Sequence, residues 1–311
     1  GGDQDGARPR PLVEVGARGG AGTHGLVGAV SLYAQAAHRL EQGRLGRLVF
    51  DRGAGGDVIA AATADRDLDL AFISPIERVG DVFVKRDDLF AAAGSNGGKL
   101  RRAMVLVASA PPGAVIGFGG RQSTTAAALA TAAKMIGRSV RFHTATGPQT
   151  DEMRIAETLG ACIVRHAPGH MTVIKARALA DRAGTYVDFT CERAVQSMEQ
   201  QAASLGAPAR IVMAVGGCIT LAAVVRGTKA RVPILAVVIG AKPPLAWLDH
   251  FAPGWRKVVT FAQAAQSYHQ SGPVPMLGDI PLDPLYESKT VAFLRPGDLL
   301  WNSGIRAAVA K

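Results

Sequence analysis

The stretch AVIGFGGRQSTTAAALATAAKMIGRSVRFHT, residues 114–144, decides the fold class of this chain. Residues 114–118 and 139–144 are rich in apolar and β-branched side chains, which predicts two strands. The alanine-rich residues 123–136 between them predict a helix that Ser123 or Thr124 caps. A strand, a helix and a second strand in this order form a βαβ unit, whose strands are parallel. We therefore expect an α/β protein.

The same alternation continues on the C-terminal side of this unit. Further strands are predicted at residues 162–164, 186–189, 211–215 and 234–239, and further helices at residues 151–159, 172–183 and 192–205. Thr150 is expected to cap the first of these helices. The rhythm predicts a doubly wound architecture, with a large domain from residues 73–104 and 186–311 and a small domain from residues 105–185.

Residues 1–72 carry a separate α/β pattern, which we interpret as an N-terminal extension. The glycine-rich turn at residues 16–22 lies between a predicted strand and a predicted helix, and Asp51 ends the next strand. Nucleotide-binding βαβ units have this pattern. A structural cap whose glycines form tight turns explains it as well.

The composition is that of a globular chain with a basic bias. Of 311 residues, 48% are apolar, which allows sizeable cores and excludes disorder and a small disulfide scaffold. Thirty-five Lys and Arg against 25 Asp and Glu give a net charge of +10, so an anionic partner is one interpretation. No apolar run approaches the roughly 20 residues that cross a bilayer, and Cys162, Cys191 and Cys218 lack metal-ligand spacing. We expect a cytoplasmic protein with free thiols, no membrane segment and no bound metal.

A lysine follows two glycines in Gly97-Gly98-Lys99, close to the predicted start of a helix. Glycines allow a flat cofactor to approach the backbone, and a helix N-terminus helps to keep an amine deprotonated. A lysine that forms a Schiff base needs such an amine, so Lys99 is the candidate nucleophile. A solvated basic residue beside Arg101 and Arg102 is the alternative.

Two further glycine-containing turns join a predicted strand to a predicted helix and can therefore bind anions. Residues 119–125, GGRQSTT, offer backbone N–H groups and hydroxyls that suit a carboxylate. Residues 215–221, VGGCITL, combine glycines with a helix N-terminus, which suits a dianion.

The order of these segments resembles that of the fold-type II pyridoxal-phosphate enzymes. The segments are VKRDDL at residues 84–89, Gly-Gly-Lys, Gly-Gly-x-Gln-Ser and the late glycine-rich turn. From about residue 73 to residue 306 the sequence is similar to 1-aminocyclopropane-1-carboxylate deaminase, D-cysteine desulfhydrase and phage-encoded pyridoxal-phosphate relatives. The resemblance implies two doubly wound parallel-sheet domains, as in the tryptophan synthase β fold, with the cofactor in the cleft between them.

The resemblance also implies roles for individual residues. Lys99 would hold pyridoxal 5'-phosphate as a Schiff base and act as acid and base at Cα. The other residues that would contact the cofactor are Gly216, Gly217, Cys218, Ile219 and Thr220 at the phosphate, Thr124 at the ring and Ser303 at the pyridine nitrogen. The residues that would bind the substrate carboxylate are Gln122, Ser123, Thr124 and Thr125.

Two tyrosines near the C-terminus complete the candidate site. The resemblance makes Tyr286, in the segment Asp-Pro-Leu-Tyr, a proton-transfer group. Tyr268 is either a second active-site phenol or a wall of the pocket, and His269 beside it is the histidine that we single out. A phenol acts as a base only when positive charge lowers its pKa, and Lys99 with the cofactor would provide that charge.

The implied function is that of a lyase or deaminase acting at Cα or Cβ of a small amino acid through an external aldimine, in a homodimer. The basic bias keeps a second interpretation open, namely DNA thymine hypermodification, for example decarboxylation of a glycyl-type base substituent, in the host cytoplasm if the chain is phage-encoded. The arginines that would then contact DNA are Arg8, Arg10, Arg39, Arg44, Arg47, Arg52 and Arg66. A cofactor-binding protein without catalytic activity is the third interpretation.

Overall fold

The computed structural model describes residues 69–167 and 169–306. The N-terminal extension up to residue 68 therefore lies outside the described residues. So do its glycine-rich turn, Asp51 and the seven arginines predicted to contact DNA.

The strands, in chain order, are β1 Ile76–Val79, β2 Val82–Arg86, β3 Ala91–Ala92, β4 Ser95–Asn96, β5 Val115–Phe118, β6 Val140–Ala145, β7 Cys162–His166, β8 Thr185–Tyr186, β9 Arg210–Val215, β10 Ile234–Val238, β11 Val259–Gln263, β12 Met276–Leu277, β13 Ile280–Pro281 and β14 Asp298–Asn302. A six-stranded sheet has the order β1-β2-β14-β9-β10-β11, in which only the β1 and β2 pair is antiparallel. A four-stranded parallel sheet has the order β7-β6-β5-β8. The short strands form two ribbons, β3 with β4 and β12 with β13.

The α-helices are α1 Gly97–Ser109, α2 Thr125–Met135, α3 Asp151–Thr158, α4 Met171–Ala180, α5 Glu192–Ala203, α6 Ile219–Gly227 and α7 Leu245–Phe251. Short 3-10 helices occur at Asp87–Leu89, Trp255–Lys257, Glu287–Lys289 and Val291–Phe293. None of the helices within the described ranges has the length and apolarity to cross a membrane.

The βαβ unit predicted from residues 114–144 is confirmed as β5, α2 and β6. The helix starts at Thr125, two residues later than predicted, because the Ser123 N–H donates to the Gly120 carbonyl in a turn. Thr150 caps α3 as predicted, since its hydroxyl accepts a hydrogen bond from the Met153 N–H. The strand predicted at residues 186–189 is wrong beyond Tyr186. Asp188 accepts from the Thr190 N–H at 2.8 Å, and this side-chain turn ends the strand.

The strand β8 also bears on the predicted domain boundary. Thr185 and Tyr186 pair with β5 in the four-stranded sheet. Tyr186, which the prediction assigned to the large domain, therefore lies in the sheet of the small domain. The division into a large and a small domain at residues 105 and 185 stays a prediction.

Three charged residues of the segment VKRDDL, namely Lys85 in β2 and Asp87 and Asp88 directly after it, are buried. Lys85 is fully buried, and its ammonium donates to the Ser74 carbonyl and to Gln201 Oε1. Burial lowers the pKa of Lys85 to about 8. Asp87 accepts a 2.9 Å hydrogen bond from the Trp301 indole, so the segment links β2 to β14. This part of the motif holds the sheet together and does not reach the cavity described below.

The helix α1 lies where the two sheets meet. It packs against α2 of the four-stranded sheet and against α5 of the six-stranded sheet. The buried apolar core is continuous through this junction, with Leu100 and Met104 of α1 beside Leu129 and Met198. The N-terminus of α1 is therefore a fixed point next to the carboxyl ends of β5, β9 and β14, where ligands bind in parallel α/β sheets.

Candidate active site

The first turn of α1 packs closely against Ser303 and Gly304, the residues that follow β14. Gly97 has φ +75°, and a Cβ there would overlap the Ser303 carbonyl and lie 2.7 Å from Gly304 Cα. The Gly98 N–H donates to the same Ser303 carbonyl at 2.8 Å. The two glycines thus allow backbone to approach backbone. This corrects the expectation that they give room to a flat cofactor.

Lys99 follows directly and its amine lies in the cavity. Its Nζ donates to Ser123 Oγ at 3.2 Å, across the gap between the two sheets. Burial lowers the pKa of Lys99 to about 8, and the nearby Arg102 and Arg306 guanidinium groups act in the same direction. At pH 7 about one-tenth of the amine is then neutral, far more than for an ordinary lysine, and the neutral amine is the form that attacks a carbonyl.

The turn between β9 and α6 presents unused N–H groups to the cavity. Gly216, Gly217, Cys218, Ile219 and Thr220 all line it. No acceptor among the described residues takes a hydrogen bond from their N–H groups. Since a helix N-terminus also carries partial positive charge, this turn is suited to bind an anion.

Cys218 has an unusual conformation within this turn. Its φ is +59° and its ψ −6°, in the left-handed region that non-glycine residues rarely adopt. The thiol is buried, which raises its pKa to about 12 and keeps it neutral. All three cysteines of the chain are free thiols in the structure.

Removing the Cβ of Cys218 should relieve backbone strain. We expect Cys218→Gly to be more stable to urea than Cys218→Ala by about 1 kcal/mol, since both variants lose the thiol but only alanine keeps a Cβ in the left-handed conformation. The free energy of unfolding is measured on the cofactor-free proteins. An alanine variant at least as stable as the glycine variant would contradict this account of the turn.

The turn predicted to bind the substrate carboxylate is only partly in the cavity. Thr124 and Thr125 line the cavity, whereas Gln122 and Ser123 are not among its lining residues. Ser123 Oγ contacts Lys99 Nζ and lies 2.7 Å from Thr125 Oγ1. Gln122 Oε1 is 2.9 Å from His269 Nδ1, so this side chain contacts the loop after β11.

Tyr286 lines the cavity opposite the glycine turn. Its hydroxyl would lie 3.0 Å from a Cβ at Gly216, and its ring is 5.8 Å from the ring of Tyr268, edge to face. Burial raises the pKa of Tyr286 well above its usual value, and Tyr268 adds to the effect. Tyr286 is therefore a protonated phenol in this structure, and its role as a proton-transfer group stays a prediction. Tyr268 packs against Tyr286 and is not among the lining residues.

Ser303 lines the cavity directly after β14, where it forms a hydrogen bond with Glu287 that the sequence did not predict. Its hydroxyl donates to Glu287 Oε1. Glu287 is buried, and burial together with Asp283 raises the pKa of its carboxyl well above the usual range. The pair therefore places a protonated acid at this wall of the cavity. The signal in the sequence was the acidic residue directly after Tyr286.

Two arginines also line the cavity, and sequence reasoning missed both. Arg102 lies one helical turn after Lys99 and is nine-tenths buried. Among the described residues its only hydrogen-bond partner is the Gly98 carbonyl. Arg306 donates through Nη1 to the Gln122 carbonyl and forms an ion pair with Asp283. Both positive charges favour an anionic ligand.

The cavity has a volume of about 240 Å³. The predicted site residues that line it are Lys99, Thr124, Thr125, Gly216, Gly217, Cys218, Ile219, Thr220, Tyr286 and Ser303. The structure thus brings together an amine of lowered pKa, an anion-binding turn, a protonated phenol and a protonated acid. This arrangement can hold an anionic carbonyl compound and move protons beside it.

Comparisons with known proteins agree with this description. A family model described as "Pyridoxal-phosphate dependent enzyme" matches residues 68–281. The crystal structure of an ACC deaminase homologue is similar, with a TM-score of 0.64 and 16% identity over 76% of this chain and 91% of that chain. The structure of maize serine racemase is similar with a TM-score of 0.54 and 14% identity, over 76% of this chain and 91% of that chain. The structure of Escherichia coli diaminopropionate ammonia lyase is similar with a TM-score of 0.53 and 11% identity, over 75% of this chain and 82% of that chain. No curated protein sequence is significantly similar. The predicted fold, two parallel-sheet domains of fold type II, is confirmed.

Proposed function

The chain belongs to the pyridoxal-phosphate dependent enzymes, and from this premise we propose that it is a lyase or deaminase acting at Cα or Cβ of an amino acid. The observation that carries the proposal is the lowered pKa of Lys99 in a cavity that also holds an anion-binding turn and a protonated phenol. The cofactor of the family is pyridoxal phosphate.

The described residues fit this cofactor. Lys99 supplies the primary amine that its aldehyde requires. The open N–H groups of residues 216–220 suit its phosphate, and the buried Arg102 guanidinium supplies positive charge in the same cavity. When bound, the cofactor would withdraw electrons from the substrate Cα.

Proton transfer at Cα and Cβ is the task of the chain's own side chains. Lys99 Nζ, once released from the cofactor, would take the proton from Cα, and Ser123 Oγ at 3.2 Å would orient the amine. Tyr286 would donate its phenolic proton to a leaving group or to carbon, since its raised pKa keeps it protonated. Glu287 and Ser303 would offer a neutral hydrogen-bonded pair to the pyridine ring.

The test offers the cofactor-loaded protein D- and L-serine, D- and L-cysteine, 1-aminocyclopropane-1-carboxylate and 2,3-diaminopropionate one at a time. Elimination or deamination, followed by hydrolysis, releases ammonia and a 2-oxo acid, which mass spectrometry detects. Racemisation or exchange of the β-substituent without ammonia would rule out a lyase. Turnover only of duplex DNA carrying glycyl-type thymines would favour the DNA-modifying interpretation instead.

Thr220 should contribute to cofactor retention and not to the reaction. A hydrogen bond to a charged group contributes about 1.5–3 kcal/mol, so Thr220→Val should raise the cofactor dissociation constant about 10- to 100-fold. Equilibrium dialysis measures this constant. Thr131→Val is the matched control, because the buried Thr131 hydroxyl has no hydrogen-bond partner among the described residues and lies away from the cavity. Equal constants for both variants would place the phosphate elsewhere.

A further inference from the structure

Ser123, the central residue of the turn at residues 119–125, already uses its hydrogen-bonding groups within the protein. The Ser123 N–H is used by the Gly120 carbonyl, at 2.9 Å. The Ser123 hydroxyl already contacts Lys99 Nζ, the Thr125 N–H and Thr125 Oγ1. Gln122 Oε1 contacts His269 Nδ1. Where the turn reaches the cavity, Thr124 and Thr125 offer a carboxylate neutral donors only, so a charged partner must come from another segment.

Arg306 lies at this turn and lines the cavity beside Thr124 and Thr125. Its Nη1 donates to the Gln122 carbonyl, which fixes the guanidinium over the turn. Its Nε is 3.3 Å from Asp283 Oδ2, but it is buried without a hydrogen bond to any described residue. A guanidinium has five N–H donors, so Arg306 retains donors for a ligand.

Asp283 holds Arg306 in place and ties it to Tyr286. Asp283 Oδ2 accepts from the Arg306 N–H at 3.1 Å. Its Oδ1 accepts from the N–H groups of Leu285 and Tyr286, at 2.8 and 3.0 Å. The same carboxylate thus positions the guanidinium and the phenol that face the cavity.

The cavity is lined by more basic than acidic side chains, which favours an anionic ligand. Lys99, Arg102 and Arg306 line it together with Asp283 and Glu287. Burial raises the pKa of Glu287 well above its usual range, which favours the neutral acid, and the side chain of Asp283 is engaged by Arg306 and by backbone N–H groups. If Arg102 balances the cofactor phosphate, Arg306 is the positive charge that remains for the substrate.

We propose that Arg306 binds the carboxylate of the substrate, and that the site therefore selects amino acids with a free carboxylate over the corresponding amides. The inference rests on the proposed function, because it concerns the substrate of that site. The guanidinium and a carboxylate match in shape and can share two parallel hydrogen bonds. An amide offers one acceptor and no charge.

The test compares dissociation constants for D- and L-alanine with those for the two alaninamides, by calorimetry and by the absorbance change of the bound cofactor. We expect the wild-type protein to bind one alanine about 10- to 100-fold more tightly than its amide, as a charged hydrogen-bonded pair implies. Arg306→Gln should bring this ratio close to one. Arg306→Lys, which keeps the charge but loses the paired donors, should give an intermediate ratio. Arg256→Gln is the control, since Arg256 forms an exposed pair with Asp249.

A purely structural role of Arg306 would weaken acid and amide binding equally and leave the ratio unchanged, which would overturn the proposal. Equal binding of acid and amide by the wild-type protein, or no binding of either alanine, would also overturn it. If Arg306→Gln does not load cofactor, Arg306→Lys decides, and an unchanged ratio in that variant counts against the proposal. Failure of the proposed function gives a different result, because the wild-type protein would then release no ammonia or 2-oxo acid in the turnover assay, whatever the ratio of the acid and amide dissociation constants.

Discussion

Lys99→Ala should abolish the covalent attachment of the cofactor and reduce turnover by on the order of 10³-fold, the range that loss of a general acid and base produces. Lys99 is the only lysine that lines the cavity among the described residues. Borohydride reduction followed by peptide mass spectrometry shows which lysine carries the cofactor, and visible absorbance shows whether the link is present.

The matched control for this variant is Lys134→Ala, which removes an exposed lysine from α2. It should leave absorbance and turnover at wild-type levels. A borohydride-stable adduct on another lysine in Lys99→Ala would refute the assignment. Lys85 and Lys289 are the buried alternatives, and both ammonium groups already donate to backbone carbonyls.

Gly97→Ala should destabilise the fold by about 3 kcal/mol or more, because the left-handed conformation and the overlap with the Ser303 carbonyl act together. No flexible side chain is involved in the overlap, so neither partner can move aside cheaply. Urea unfolding of the cofactor-free protein measures the loss, and the same variant should load cofactor poorly because Lys99 follows two residues later.

Gly137→Ala separates the two causes. Gly137 has φ +69°, close to that of Gly97, but a Cβ there would meet nothing within 4 Å. We expect Gly137→Ala to cost only about 1 kcal/mol, the conformational part of the effect. Similar losses in both variants would mean that the contact between α1 and β14 contributes little.

The fold was predictable where the signal was local. The β5–α2–β6 unit and the Thr150 cap depend on neighbouring residues, and both were confirmed. Boundaries failed where side chains redirect the backbone, as Asp188 does after β8. The place of β14 between β2 and β9 could not be read from local patterns, because Leu299 pairs with Phe83 of β2 and with Ile211 of β9, both far away in the sequence.

The candidate site was predictable in its amine and its anion-binding turn, because each is a short segment at the start of a helix. Arg306, Asp283 and Glu287 were not predictable, since their role depends on contacts with Gln122 and Ser303 that only the folded chain creates. The sequence also did not show why residue 97 is a glycine, namely the close approach of the Ser303 carbonyl. A glycine shows that something approaches closely, but the sequence does not tell whether this is a cofactor or the chain itself.

The strand β14 separates β2 from β9 in the six-stranded sheet. During synthesis, these two strands therefore emerge with their inner edges unpaired, and they remain so until residues 298–302 have left the ribosome. Exposed strand edges promote association between chains, so the chain without β14 should associate more readily than the chain with β14 in place. The contact between the first turn of α1 and the Ser303 carbonyl also cannot form until Ser303 has been synthesised. We therefore expect attachment of the cofactor at Lys99 only after β14 has left the ribosome and paired with β2 and β9.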